Sequence, residues 1–536
     1  MATLVFVNAV VRTQHAARPL ASAVAVNGRR IEAVGEEKEV RALAGARAEI
    51  IDLGGRLLLP GFAESHIHYF DWAIGRQQLV LTGVPSLAEL LARVRAAAAA
   101  APRGAWITGQ GFEESAWSEA RTPLRADLDA AAPDNPVLLF RSDLHLAVAN
   151  SAALALAEVN RHTPDPAQGI FGRTSEGRLN GVLKDLAINP VKGVMLAGSD
   201  EAVTRAMAAA MPALHAHGIT TVHDFRLMGG SEGPQALRAW QRLEGEGRLA
   251  LRAWVCLPGD LLDEAIALGL RTGLGSARLK LGHVKFFADG SMGAGTAWLL
   301  ERYADGGSGI PLTPVPEIKA AVQRAERAGL AVAVHAIGDR ANRDLAAALQ
   351  SLARQRDPAM PLPAAPHRVE HVQMIRDEDL VRLAASGVHA SVQPLQATDD
   401  LALIERNLGE QGRLCYRFRD LLAHGLPLAF GSDCPVADPS PLRGVHAAVT
   451  RQRESGEPAG GWHPEQRLSV AEAVRAYTAG PAAIAGRLGE LGVIAPGALA
   501  DLVVLSEDIY RVAPADIPAV SVCLTVFDGR VVYENL

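Results

Sequence analysis

Apolar and polar positions alternate in short runs at both ends of the chain and in longer, mixed runs between them. The opening stretches TLVFVNAVV, SAVAVNGRRIEAVG and AEIIDLGGRLLLPG intersperse hydrophobic residues with Asn-Gly and Gly-Gly turn signals. Near the other end, ALADLVVLSED and VSVCLTVFDGRVVYEN repeat that texture and add an Asp-Gly hairpin signal. The two ends are therefore expected to pair into one small β-sandwich, built from residues 1–57 and 488–536.

Residues 58–487 read differently. Apolar strand-like runs alternate there with Ala/Leu/Arg helical patterns, which predicts βα units around a parallel sheet. The strand runs are GFAESHIHY, GITTVHDF, LRAWVCLP, HVKFFADG, LAVAVHAIG, HRVEHVQ, VHASVQP and LPLAFGSDCPV. Their number is that of an α/β fold of the (β/α)8 TIM-like barrel type. From about residue 72 to about 200, the gap between the first and second runs is too long for a loop. It holds its own strand and helix signals (AWITGQGF, NPVLLFRSDLHLAVANSAALAL), so a structured insertion is expected to overhang the barrel mouth. His68, Asp224, Lys285, His335, His371 and Asp433 all fall at or near the C-terminal ends of the strand runs, where this fold places chemistry.

Composition narrows the classes. With 49% hydrophobic and 21% charged residues over 536 positions, the chain is globular rather than disordered. A net charge of −6 gives no electrostatic reason for nucleic acid or an anionic membrane surface, which leaves a small molecule as the expected partner. Cys256, Cys415, Cys434 and Cys523 form no CxxC pair, which argues against a disulfide framework and a thiolate zinc site. With no long uncharged apolar stretch and no signal-peptide pattern, the cytoplasm is the expected location.

In an extended strand, residues i and i+2 share a face, so His66 and His68 of PGFAESHIH can converge on one cation. His335 and His371 close later strands, and Asp433 closes LAFGSD, where a carboxylate is costly to bury without a partner such as a metal. Lys285, in GHVKFFADGS, can lose its charge by desolvation and add carbon dioxide, turning a cation into an anionic ligand. The alternative is an unmodified lysine paired with an acid such as Asp289. Cys434 is read as packing, and the glycine-rich ADGSMGAGTA lacks P-loop spacing.

This HxH, lysine, histidine, histidine and aspartate order resembles the amidohydrolase superfamily. The strings SDLHLAVANSAAL, HAHGITTVHD, VKFFADGSMGAGTA, VHAIGDRAN, HRVEHVQ, QPLQATDD and GSDCPV narrow the likeness to the amidohydrolase family 3 branch, which includes N-substituted formamide deformylases. Glu64 departs from the aspartate usual in that branch before Ser-His, at a position that is not a ligand. The resemblance implies one or two divalent ions such as Zn2+, one held by His66, His68 and Asp433 and another by His335 and His371. A carboxylated Lys285 would bridge them. It also implies cleavage of an amide-type C–N bond (N-acyl, N-formyl or cyclic amide) by metal-activated hydroxide with Asp433 as proton shuttle, and a homodimer. The same ligands serve deaminases, decarboxylases and lactonases or esterases, whereas a non-catalytic scaffold would show lost ligands. His145, Asn150, His223, Asp289 and Gln393 are candidates for contact with substrate.

Overall fold

Eight parallel strands form one sheet whose neighbours follow chain order: β1 (Phe62–Ile67), β2 (Ile219–Asp224), β3 (Arg252–Pro258), β4 (Leu279–Phe287), β5 (Val332–Ala336), β6 (Arg368–His371), β7 (His389–Val392) and β8 (Leu428–Phe430). The computed structural model describes residues 2–166, 168–195, 200–226, 232–304 and 306–535. All eight predicted strand runs are present. Strands β1, β2, β3 and β5 are buried along their whole length, as expected when helices cover one face of a parallel sheet and side chains fill the other. The helix Val315–Arg327 shows how that cover is made: Ile318, Ala321, Val322 and Ala325 are buried at the spacing of one helical face.

The ring closes between the end of β1 and the segment just after β8. A parallel bridge joins Ile67 to Cys434, the Asp433 amide donates to the His66 carbonyl at 2.8 Å, and the His68 amide donates to the Cys434 carbonyl at 2.8 Å. Gly431 permits that approach, because a Cβ there would lie 2.6 Å from the His66 nitrogen. The register of closure therefore sets His66 and His68 against Asp433.

Two further sheets bring the chain ends together. One contains Leu20–Ala21, Val10–Arg12, Leu57–Pro60, Leu502–Leu505, Val522–Phe527 and Arg530–Glu534; Leu502–Leu505 pairs antiparallel with Leu57–Pro60. The other contains Arg30–Gly35, Ala23–Asn27, Ala2–Val7 and Ala44–Asp52. Phe6, Val24 and Val26 of the second pack with Leu58, Leu502, Leu524 and Val526 of the first in one apolar cluster. Arg252, at the start of β3, ties this unit to the barrel. Its guanidinium reaches Asp501 at 2.5 and 2.8 Å and Asp528 at 2.9 Å, with all three side chains buried.

Between β1 and β2 the chain builds a mixed sheet from Leu79–Val80, Ile107–Phe112, Val137–Arg141, Leu146–Ala149, Leu179–Asp185 and Gly169–Arg173. Its two faces carry separate apolar clusters, one around Leu90, Leu128 and Trp117 and one around Phe140, Phe171 and Ile188. Among the described residues, no helix is long and apolar enough to cross a membrane.

Candidate metal centre

At the C-terminal mouth of the barrel, ligand atoms of His66, His68 and Asp433 lie within 4.8 Å of one another. Asp433 Oδ1 is 3.4 Å from His66 Nε2 and 3.3 Å from His68 Nε2. The His371 ring centroid stands 5.0 Å from that of His66 and 4.5 Å from that of His335. Lys285 Nζ lies between aromatic faces, 4.5 Å from the Phe225 centroid and 4.7 Å from that of Phe287. His66 itself stacks on Phe225 at 4.3 Å. Five predicted ligands and the lysine thus share one buried neighbourhood, with His66, His68 and Asp433 forming the tightest group.

Backbone geometry helps aim two of these side chains. Arg368 and Glu370 share a face of β6 and pair with each other. His371 follows Glu370 directly and would face away in a continued strand. Its φ of +72° ends the extension, and Asp433 likewise has φ of +62°. Such conformations cost energy for residues with a side chain and concentrate at working sites.

Three of the histidines are oriented by a second partner. His66 Nδ1 is 2.6 Å from Glu370 Oε2, His371 Nδ1 is 2.9 Å from Gln393 Oε1, and His335 Nε2 is 3.1 Å from the Gly290 carbonyl. A ring N–H committed to an oxygen leaves the other nitrogen as a lone-pair donor, which is the tautomer a metal requires. Burial, reinforced by the charge of Lys285, drives the pKa of His66 well below its ordinary value. Burial and neighbouring histidines do the same for His335 and His371. Burial also lowers the Lys285 amine to about 8, although Glu370 and Asp433 oppose it. At Asp433, burial favours the neutral acid, but His66, His68 and Lys285 outweigh it and hold the carboxyl below its usual value.

The donor set fits a cation. His66 Nε2, His68 Nδ1, Lys285 Nζ and Asp433 Oδ1 are buried with no hydrogen-bond partner among the described residues. Native proteins rarely leave such atoms unsatisfied, because each costs desolvation energy. Imidazole nitrogens with a carboxylate suit a divalent ion such as zinc.

The remaining candidates divide. His145 reaches in from the inserted sheet, with its ring centroid 5.3 Å from that of His335. Gln393 supports His371. Asp289 is 3.7 Å from His335 Nε2, but it accepts the amides of Trp298, Ile337 and Gly338, so it fastens the loops after β4 and β5 and does not pair with Lys285. Asn150 is removed from the cluster: it caps the helix Ser151–Leu156 and bonds the Val137 amide and the carbonyls of Ala132 and Asn135. His223 bonds Arg368 at 2.9 Å and lines a small pocket with Gly61, Arg252 and Asp501 at the N-terminal ends of the strands. Neither is among the residues lining the cavity over the histidines.

Two buried carboxylates that contact candidate residues were not singled out from the sequence, Glu370 on His66 and Asp185 on His145. For Glu370 a signal existed, a carboxylate inside an apolar strand beside a candidate ligand. Glu370→Gln is expected to weaken metal affinity by about 10–100-fold, the usual effect of removing a carboxylate that orients a ligating histidine. Titration of apo-protein with Zn2+ against a competing chelator would measure it, and unchanged affinity would remove Glu370 from the site.

A barrel with histidines and an aspartate converging at its C-terminal mouth defines a metal-binding hydrolase architecture. The model of the family described as "Amidohydrolase family" matches residues 49–533, and the chain belongs to that family. It is 32% identical to Protein LONG AFTER FAR-RED 3 of Arabidopsis thaliana, over 99% of this chain and 92% of that one. It is 28% identical to N-substituted formamide deformylase of Arthrobacter pascens, over 100% and 99% of the two chains. Among solved structures, an uncharacterized metal-dependent hydrolase of Pyrococcus horikoshii OT3 is similar with TM-score 0.77 and 27% identity, covering 95% of this chain and 99% of that one.

Proposed function

We propose that the chain hydrolyses the C–N bond of an amide-type substrate, an N-formyl, N-acyl or cyclic amide, with a divalent metal held by His66, His68 and Asp433 and flanked by His335, His371 and Lys285. The observation that carries this reading is the approach of ligand atoms of buried His66, His68 and Asp433 to within 4.8 Å of one another, with His66 Nε2 and Asp433 Oδ1 left without a hydrogen-bond partner among the described residues. The deformylase relative supports the choice of bond. A metal there would supply Lewis acidity toward the carbonyl and lower the pKa of water toward neutrality.

The chain's own groups do the rest. Asp433 lines an open cavity together with His145, His335, His371, Gln373 and Gln396. Gln396 Nε2 donates to Asp433 Oδ2 at 3.2 Å and fixes the carboxylate plane. Held ionised, Asp433 takes a proton from the attacking water and returns it to the departing amine, so the amine leaves neutral. Lys285 Nζ, unpaired in its aromatic slot, would add carbon dioxide with loss of a proton and so become an anionic ligand.

Purified protein screened against N-formyl, N-acetyl and N-acyl amino-acid amides should hydrolyse at least one of them. Chelator should abolish that activity and Zn2+ restore it. Full activity after complete metal removal would overturn the metal role. Cleavage of esters or lactones alone would overturn the choice of bond.

A further inference from the structure

The inserted sheet places one side chain into the cavity on its own scaffold. His145 follows Leu144 and precedes the strand Leu146–Ala149; its ring faces His335 at 5.3 Å and Phe287 at 6.4 Å between centroids. His145 Nδ1 lies 2.6 Å from Asp185 Oδ1, at the end of the strand Leu179–Asp185, and the Asp185 amide donates to the His145 carbonyl at 2.9 Å. Nε2 takes no protein partner among the described residues, and the side chain lines the same cavity as His371 and Asp433.

The support for this ring is extensive. Leu144 has φ of +59° and Asp185 φ of +50° with ψ of −128°, so left-handed backbone stands at both ends of the His145–Asp185 contact. Asp143 accepts the His145 amide at 3.1 Å and also the Ser291 hydroxyl at 2.7 Å, which fastens the segment to the loop after β4. Gly290, whose carbonyl lies against His335, has no Cβ to occupy the space 3.1 Å from Asp185 Oδ1. Strain at non-glycine positions persists only where the surroundings enforce it, and it gathers where function depends on it. A ring nitrogen locked by a carboxylate fixes the direction of the other nitrogen.

We infer that His145 Nε2 hydrogen-bonds the reacting carbonyl group of the substrate, with Asp185 as its positioning residue, so that the insertion completes the active site instead of only covering it. The inference rests on the proposed hydrolytic reading for its substrate class. With Nδ1–H committed to the Asp185 carboxylate, Nε2 donates as part of the imidazolium which that buried carboxylate stabilises. A donor aimed at the carbonyl oxygen strengthens as that oxygen gains charge, so its loss falls on turnover more than on binding.

The test uses metal-loaded full-length enzyme with whichever N-formyl or N-acetyl amide the wild type cleaves. His145→Ala is expected to lower kcat by about 100-fold or more, with KM and bound zinc close to wild type. Asp185→Asn should lower kcat by about 10-fold with the same zinc content, and His145→Asn, which keeps an N–H donor, should recover part of the loss. A His145→Ala enzyme with kcat within twofold of wild type would overturn the inference. So would a loss of zinc in proportion to activity in either His145→Ala or Asp185→Asn, which would make the pair a support of the metal. Should His145→Ala fail to fold, the kcat and zinc content of Asp185→Asn decide the matter by the same criteria. Should the wild type cleave only an ester such as phenyl acetate, the amide reading fails while the same variants, assayed on that ester, still judge His145.

Discussion

Asp433→Asn should reduce turnover by about 10²–10⁴-fold, the range expected for loss of a positioned acid–base group. The side chain keeps its shape but loses the ability to carry a proton. Asn tolerates positive φ about as well as Asp does, so the +62° backbone at this position should survive the change. The closing hydrogen bond from the residue 433 amide to the His66 carbonyl involves no side chain and should also persist. Steady-state kinetics with circular dichroism would check both halves of the expectation. A folded variant with wild-type kcat would end the proton-shuttle role.

The second large effect lies at the N-terminal ends of the strands, where Arg252 meets Asp501 and Asp528. Arg252→Met should destabilise the protein by about 3–5 kcal/mol, because it strands the buried carboxylates of Asp501 and Asp528 without their guanidinium. Arg278 would still reach Asp528, at 2.6 and 3.0 Å, but among the described residues Asp501 has no other ion pair. Apparent melting temperature and urea midpoint should both fall, and an unchanged midpoint would show that the pair is dispensable. Acid adds a sign. Burial raises the pKa of Asp528, but Arg252 and Arg278 outweigh it and hold the carboxyl below its ordinary value. Its contribution to stability is therefore full above the unfolded pKa of about 3.9 and is lost as pH falls through the lower folded value. Wild-type protein should lose more stability than Arg252→Met between pH 5 and pH 3, on the order of the acid range over which such carboxylates titrate.

Much of the barrel was legible because buried parallel strands read as apolar runs ending in polar residues. All eight runs fold as strands, from Phe62–Ile67 to Leu428–Phe430. The start of β4 was not legible: it begins at Leu279, whereas the run HVKFFADG begins at His283. Lys280 and Gly282 interrupt the apolar pattern there, and Gly282 packs its bare Cα beneath Trp254, where a Cβ would lie 2.7 Å from the indole. The His66–His68 spacing gave their shared face directly, since it follows from strand periodicity.

Partners set by tertiary packing were another matter. Glu370 orients His66 across 304 residues of sequence, and Asp185 meets His145 across 40, separations at which no periodicity operates. Asn150 shows the reverse error. It stands before SAALAL, where a helix N-cap and a substrate ligand call for the same residue type, and the structure uses its amide as a cap. His223 was read from its place near the end of β2; its ring instead hydrogen-bonds Arg368 inside the barrel.

Metal-dependent hydrolysis at the barrel mouth is tested most directly by the metal content of freshly purified protein, taken alongside its amide hydrolase rate. The wild type is expected to carry about one to two divalent ions per chain, and the double variant His66→Ala/His68→Ala to lose at least one of them together with its activity. A wild-type protein that hydrolyses its substrate at full rate with no bound metal would contradict it.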